Sequence, residues 1–277
     1  MQIDGFKIAV LHETYLHVDG GILFGEVPRE DWELFLKPDE RNRVKIGVNQ
    51  ILVMGEKMNI LIDAGIGSKR QSVKTAFLPP YYRTSFRKRL MSFGLIPEDI
   101  THIIFTHLHA DHVGGALTIK DGHLLPVFPF AEYFVQKQEW DSALSFEGDA
   151  KRFVRIQDLL PLSAAGKIRL LNGDVELVKG IFLEVTGGHS EGHQMVTIKG
   201  EGKTFVFPGD ICPTEYHVHE GINTAANVKP SDFAASKQLF LRKAVASDTV
   251  VAFPHSINPV FYKIRDTGEN YVCEKYL

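Results

Sequence analysis

One pattern constrains this chain more than any other: an apolar run that stops abruptly at Asp or His, with Gly or Pro beside it. It recurs as NILIDAGIG (59–67), THIIFTHLHADHVGG (101–115), FLEVTGGHSEGH (182–193), KTFVFPGDI (203–211) and TVVAFPHSIN (249–258). Short runs of Ile, Leu, Val and Phe read as buried strands, and their polar ends read as loops at one strand end. Five such strands delivering carboxylates and imidazoles from their carboxyl ends describe an active-site edge. Between them, residues 81–94 have a helical pattern that stops at Gly94, and residues 231–246 read as a helix with Ser231 as N-cap and Asp232 in its first turn. Weaker helical patterns cover 136–146 and 151–160, and the first 60 residues read as strands with turns at Asp19, Gly20, Gly21 and around Pro38. There is no fixed repeat and no Ser/Gly/Pro-rich linker. The expectation is a single domain over residues 1–277, of α/β class, with layered sheets and helices outside.

Composition narrows the partners. Lys and Arg number 31 against 34 Asp and Glu, a net charge of -3, which is not the profile of a protein that lives on phosphate backbones. The dense basic run, Arg83 with Arg87, Lys88 and Arg89, reads as a solvated helix face. Nucleic acid is therefore excluded as a partner. No stretch approaches the roughly 20 apolar residues that span a bilayer, which excludes a membrane role. The start MQIDGFKIAV lacks a basic segment and a long apolar core, so the expected location is cytoplasmic. Cys212 and Cys273 are too few for a disulfide framework. Histidine, with 12 residues, is the outlier.

The strongest cluster is His107, His109, Asp111 and His112 in THLHADHVGG. Residues two apart in an extended segment point the same way, so His107 and His109 can reach one ion. Asp111 and His112 follow as the chain turns at Gly114 and Gly115 and can face a neighbouring ion. Imidazole and carboxylate ligands without thiolate suit Zn, Fe, Mn or Co. A lone His at a strand end is ordinarily a core or surface residue; three His and an Asp within six residues are not. His189 after Gly187 and Gly188, Asp210 after Gly209, and His255 after Pro254 each have a bland turn or loop reading alone. Together, in the same strand-end setting, they complete a set of ligands for two ions.

This H-x-H-x-D-H string, followed by His, Asp and His at these spacings, resembles the metallo-β-lactamase fold superfamily over roughly residues 45–260. The resemblance implies a four-layer αββα sandwich with the metal site at one edge of the sheets. By it, His107, His109 and His189 hold one ion, Asp111, His112 and His255 hold the second, and Asp210 bridges them. Asp63 in LIDAG matches an upstream Asp that supports the site from behind the ligands, and His193 matches a histidine near the metals. The implied cofactors are two divalent ions, zinc foremost. Such a pair, roughly 3.5–4 Å apart, shares a hydroxide that attacks a carbonyl or phosphoryl centre, with Asp111 orienting it and passing a proton to the leaving oxygen.

The substrate class follows from departures and matches. Asp210 stands where many zinc β-lactamases carry Cys, which argues against that activity. The segment HVDGGILFGEVP (17–28) with Trp32 resembles the N-terminal part of lactonase-like and organophosphate-hydrolase-like branches, and related enzymes are often homodimers, with 17–32 the candidate contact. Phe128, Phe130, Phe134, Trp140, Phe146 and Phe153 suggest an apolar wall for a small substrate, beside ordinary core packing. Many quorum-quenching lactonases carry a Tyr shortly after the bridging Asp; here Pro213 holds that register and the hydroxyl arrives at Tyr216, with His217 and His219 also within reach. Cys212 reads as a small buried hydrophobe. The leading expectation is a binuclear hydrolase of a small ester or lactone. The alternatives are a phosphodiesterase or phosphotriesterase on the same site, an iron-dependent sulfur dioxygenase, and a non-catalytic binding module.

Overall fold

The structure, a computed structural model, describes residues 1–68, 85–145, 153–154, 156–247 and 249–276. Its first part runs β1 (Gln2–Ile3), β2 (Phe6–Asp19), α1 (Gly20–Phe24), α2 (Arg29–Trp32), β3 (Arg43–Met54), β4 (Asn59–Ile62), α3 (Phe86–Met91), β5 (His102–Ile104), α4 (Ala110–Val113), the hairpin β6 (Leu117–Lys120) and β7 (His123–Pro126), β8 (Glu132–Gln136), α5 (Lys137–Ser145), α6 (Leu160–Ala164) and β9 (Ile168–Leu171). The second part runs β10 (Val175–Val178), β11 (Ile181–Val185), β12 (Gln194–Gly200), β13 (Lys203–Phe207), α7 (Pro230–Ala246), β14 (Val250–Val251), β15 (Tyr262–Asp266) and β16 (Tyr271–Lys275). Two seven-stranded sheets result, ordered β1-β2-β3-β4-β5-β8-β9 and β10-β11-β12-β13-β14-β15-β16.

Side-chain alternation makes the layers. Ile51, Val53, Ile60, Ile62, Ile104 and Phe134 of the first sheet pack with Ile181, Leu183, Val196, Ile198, Phe205 and Phe207 of the second. Their neighbours along the same strands, Leu52, Leu61, Ile103 and Tyr133, face the other way and meet Phe86 and Leu90 of α3, Trp140 and Ala143 of α5 and Leu162 of α6. On the second sheet, Val206, Val251 and Tyr262 turn outward onto Phe233, Phe240 and Leu241 of α7. Because the strand period is two, runs buried on both faces are what two helical layers around two stacked sheets require. This is the αββα sandwich. Truncating one inter-sheet residue such as Ile62 to Ala would cost about 2–5 kcal/mol.

Strand direction then assembles the site. β4 and β5 are parallel, as are β13 and β14, and β11 runs with β13 because each is antiparallel to β12. The carboxyl ends of these strands therefore lie at common edges, where their Asp- and His-bearing loops begin. A cluster of Leu16, Val18, Leu23, Phe24, Trp32 and Ile46 packs the 17–32 segment against the same end.

Several local expectations change. The helix α7 starts at Pro230 with Lys229 as N-cap and no side-chain cap, so Ser231 lies inside the first turn, where the fixed φ of Pro sets the start. Ser85 caps α3 by accepting from Lys88 N–H, and the helix ends at Met91 ahead of Gly94, whose φ is 75°. Residues 81–84, with Arg83, lie outside the described residues. Arg87 and Lys88 are exposed, but Arg89 is buried over the Phe86 ring and donates to Gln50 Oε1, so the basic run is not one solvated face. Asp19 caps α1 by accepting from Gly21 N–H rather than closing a plain turn. Among the described residues no helix is long and apolar enough to cross a membrane.

Candidate metal centre

The site is built from obligate hydrogen bonds inward. Asp63 follows β4 in a left-handed conformation, φ 59°, a rare state for a non-glycine residue that costs about 1–3 kcal/mol. The turn sets its carboxylate against the end of β5, where it accepts from Thr106 N–H at 2.8 Å and from the Thr106 hydroxyl at 2.9 Å. It also lies 2.8 Å from His112 Nδ1. A carboxylate has no proton to give, so Nδ1 of His112 carries the hydrogen and Nε2 is left for the site. Thr106 Oγ1 has spent its own hydrogen on Asp63 and can only accept from His107 Nδ1, 3.0 Å away. Asp63 thus sets the tautomer of both rings.

Two further rings are fixed in the same way. His255 Nδ1 donates to the Gly47 carbonyl at 2.9 Å. His189 Nδ1 donates to Asn227 Oδ1 at 3.0 Å, and the Asn227 amide is oriented by its Nδ2 donating to the Thr224 carbonyl. Backbone pairing holds the His255 loop on β3, with Gly47 N–H to His255 O and Asn49 N–H to Pro254 O. Gly47 is needed there, since a Cβ would stand 2.2 Å from Ser256 O. Gly188, at φ 82°, plays the same part for His189, because a Cβ would meet Phe233 backbone at 2.4 Å.

These constraints turn the remaining ring nitrogens toward one another. His112 Nε2 and His255 Nε2 are 3.2 Å apart, and each is 3.3 Å from Asp210 Oδ1. His109 Nδ1 and His189 Nε2 are 3.1 Å apart. His189 Nε2 lies 3.4 Å and His107 Nε2 lies 3.9 Å from Asp210 Oδ2. Asp111 Oδ2 is 3.7 Å from His255 Nε2. His107 Nε2 and Asp210 Oδ1 are buried with no hydrogen-bond partner. Ligand atoms of His107, His109, His189 and Asp210 fall within 4.8 Å of one another, as do those of Asp111, His112 and His255. Asp210 thus turns one oxygen to each group.

Electrostatics shows what the cavity wants. Burial pushes His107, His109, His189 and His193 below the usual imidazole range. Burial pulls His112 down too, but the carboxylates of Asp210, Asp63 and Asp111 outweigh it and hold this ring well above that range. His255 is likewise raised against burial, by Asp210. Burial would raise Asp210, yet the His255 and His112 rings hold it well below the usual carboxylate range. Either protons or cations must sit among these converging groups, and the nitrogen and oxygen donors fit divalent metal ions.

The sequence-derived residues fall into distinct places. His107, His109, Asp111, His112, His189, Asp210 and His255 converge as two groups, with Asp63 behind His112 and Thr106. His193 is fully buried and accepts the Asp210 N–H at Nε2, 3.0 Å, with Nδ1 on Thr186 Oγ1. Its Nε2 is thereby used, so it positions Asp210 and offers no free ligand atom. Gly209, at φ 57°, makes this possible, since a Cβ would lie 2.6 Å from His193 Nε2. Tyr216 is not among the residues lining the cavity; its ring stacks on Phe35 at 5.3 Å, and His219 stacks on the same ring. His217 is held between the Thr214 hydroxyl and the Leu23 carbonyl.

The cavity beside the ligands is walled by Val18, Ile22, Leu23, Ile46, Phe153, Pro213, Thr224 and Ala226. No Lys or Arg lines it among the described residues. Of the proposed aromatic wall, Phe153 alone of the described residues lines it, while Phe128, Phe134 and Trp140 are core and Phe130 is exposed; Phe146 lies outside the described residues. Sequence reading missed Thr106, Asn227, Gly47, Thr224 and Glu139, most of which act on parts of the site far away in the chain. Only Thr106, beside His107, carried a local signal.

The fold and this double cluster define an αββα protein with two adjoining groups of metal-capable residues at the strand ends. A family model for the metallo-beta-lactamase superfamily matches residues 44–255, and the chain belongs to that superfamily. N-acyl homoserine lactonase AiiA from Bacillus thuringiensis subsp. kurstaki is 35% identical over 112 residues, 40% of this chain and 38% of that protein. The match thus spans about two fifths of the curated relative's length. A probable metal-dependent hydrolase from Staphylococcus aureus superposes over 100% of both chains with TM-score 0.85 and 29% identity. AidC, a dizinc quorum-quenching lactonase solved with its product, covers 100% of this chain and 96% of its own with TM-score 0.82; at 19% identity it speaks for the fold alone.

Proposed function

We propose that this protein is a binuclear metal-dependent hydrolase of a small, uncharged ester or lactone with an apolar portion. One observation carries the reading. Asp210 divides its oxygens between two groups of inward-facing metal-capable residues, and they open onto a wall whose described residues are apolar apart from Thr224. A phosphodiester would bring a negative charge, for which Arg or Lys beside the metals is the usual partner. The described lining offers neither.

His107, His109 and His189 would hold one ion, Asp111, His112 and His255 the other, with Asp210 shared. Divalent ions there, zinc foremost, supply a water acidified into the neutral range and a Lewis acid for the substrate oxygen. The chain's own residues do the rest. Asp111, at the cavity wall, accepts the proton of the attacking water and returns it to the leaving oxygen. Val18, Ile22, Leu23 and Phe153 exclude water and seat the hydrocarbon part. The same proposal takes residues 1–277 as one cytoplasmic domain, with a homodimer built through 17–32, which size-exclusion chromatography with light scattering checks.

The test is metal content of the purified protein together with hydrolysis of aliphatic lactones, an aryl ester, a phosphodiester and a phosphotriester. Two ions per chain with chelator-sensitive lactone or ester turnover, abolished in Asp111→Ala and His109→Ala, is the expected result. Turnover of the phosphoesters alone would move the substrate class, and full activity in either variant would sink the mechanism.

A further inference from the structure

A buried carboxylate that the chemistry above does not use joins the two loops on which the first group of histidines sits. Glu139 lies in the first turn of α5 and is 2% exposed. Its Oε1 accepts from Leu108 N–H at 3.0 Å. Its Oε2 accepts from the Ser190 hydroxyl at 2.7 Å and from Gly192 N–H at 2.9 Å. Leu108 stands between His107 and His109, and Ser190 directly follows His189. One side chain therefore grips both loops, from opposite ends of its carboxylate. Among the described residues no Lys or Arg pairs with it, so it is not one half of an ion pair.

The platform under this carboxylate is rigid. Trp140 and Ala143 bury α5 in the outer core against the first sheet. The second loop is cut to fit it, since a Cβ on Gly192 would lie 2.3 Å from Glu139 N. Resting on the metal-centre reading above, we propose that Glu139 is a positioning residue that sets the affinity of the ion held by His107, His109 and His189, by fixing the spacing of their two loops. The donors define which side chains can serve. Leu108 and Gly192 offer backbone N–H groups, which cannot reverse. Glutamine presents its NH₂ to one of them, leaving that N–H without an acceptor and that loop unheld.

Three variants test this: Glu139→Gln, Glu139→Ala and, as a control on the same helix, the exposed Asp141→Asn. Apo protein is titrated with Zn(II) against a chromophoric chelator, and the melting temperature of the apo form is recorded separately. Loss of groups that orient metal ligands typically weakens binding 10–100-fold. Glu139→Gln should weaken one binding step by that factor and leave the other within about twofold, and Asp141→Asn should match the parent. In a His255→Ala background, where the remaining ion is held by the first group, the loss should persist. Excess zinc should restore turnover, which a group acting in the reaction itself would not allow.

A role in stability alone would lower the apo melting temperature while the folded fraction bound zinc as before, and that result overturns the proposal. So does equal weakening of both steps. Should the parent protein bind a single ion, the binuclear reading fails, while Glu139→Gln is still scored on that ion.

Discussion

Replacing Asp63 by Asn exchanges one oxygen for NH₂, and the hydrogen-bond chain around it specifies the outcome. Thr106 N–H is an obligate donor to Oδ1, so the new amide must keep its oxygen there and place NH₂ where Oδ2 was. That NH₂ faces His112 Nδ1, 2.8 Å away in the parent, and the Thr106 hydroxyl. His112 Nδ1 must then accept, so its hydrogen moves to Nε2, the atom turned toward Asp210 and His255. Thr106 Oγ1 also lies 3.1 Å from Oδ1, which stays an oxygen, so its hydroxyl goes on donating there and His107 Nδ1 keeps its hydrogen. The His112 ring therefore presents N–H to the centre instead of a lone pair.

The magnitude follows from this. The ion held with His112 should lose about 10–100-fold in affinity, or about 1.4–2.7 kcal/mol. Asp63→Gly is the decisive comparison. Glycine and asparagine both tolerate the left-handed backbone at residue 63, whereas Asp63→Ala adds about 1–2 kcal/mol of strain. Glycine removes the acceptor without installing a donor, so His112 stays free to take either tautomer. Zinc affinity, by the same chelator competition, should fall in the order Asp63, Asp63→Gly, Asp63→Asn. An Asn variant that binds both ions as the parent does, or that binds better than Gly, would refute the tautomer argument.

Other perturbations bear on separate parts of the molecule. His217 is buried and pushed down to about 3, below its unfolded value of about 6.5, so unfolding takes up a proton between those values. Its contribution is complete above pH 6.5 and lost as pH falls toward about 3, about 4–5 kcal/mol in all. Denaturant melts across that range should show a shallower acid limb for His217→Gln, and an unchanged limb would remove this account. Burial pushes the Cys212 thiol up to about 12, so Cys212→Ala should leave metal content unchanged; lost metal would put sulfur in the ligand set. Asn227→Leu frees His189 Nδ1 from its acceptor and should weaken one zinc step about 10-fold, read by the same titration. Ile22→Asn should raise KM for long-chain substrates about 10-fold with a smaller effect on short ones, and equal effects would remove the apolar wall from recognition.

How much of this was legible in the chain depends on how far the cause lies from the residue. The strand runs were readable because burial on both faces writes itself into consecutive positions, as in NILI and FVF. Their ends were readable because the metal-capable residues follow directly, and parallel strands carry those ends to one edge. The set of seven convergent residues needed only this. Glu139 shows the opposite case. In KQEWDSAL it reads as one acid among the polar residues of an amphipathic helix, and nothing local says that Leu108 and Ser190 will come to it across the fold. Arg89 and the phenylalanines fail for the same reason: a helix face or an aromatic cluster has no declared partner until the layers stack. Tyr216 adds a further limit. Its offset from Asp210 was visible as a register change at Pro213, but only the Phe35 ring, packed on the same apolar cluster as the 17–32 segment, decides where the hydroxyl-bearing side chain packs. What recurs locally in sequence thus marks the convergent metal-capable residues, while the groups that set their protons and spacing are written in tertiary contacts.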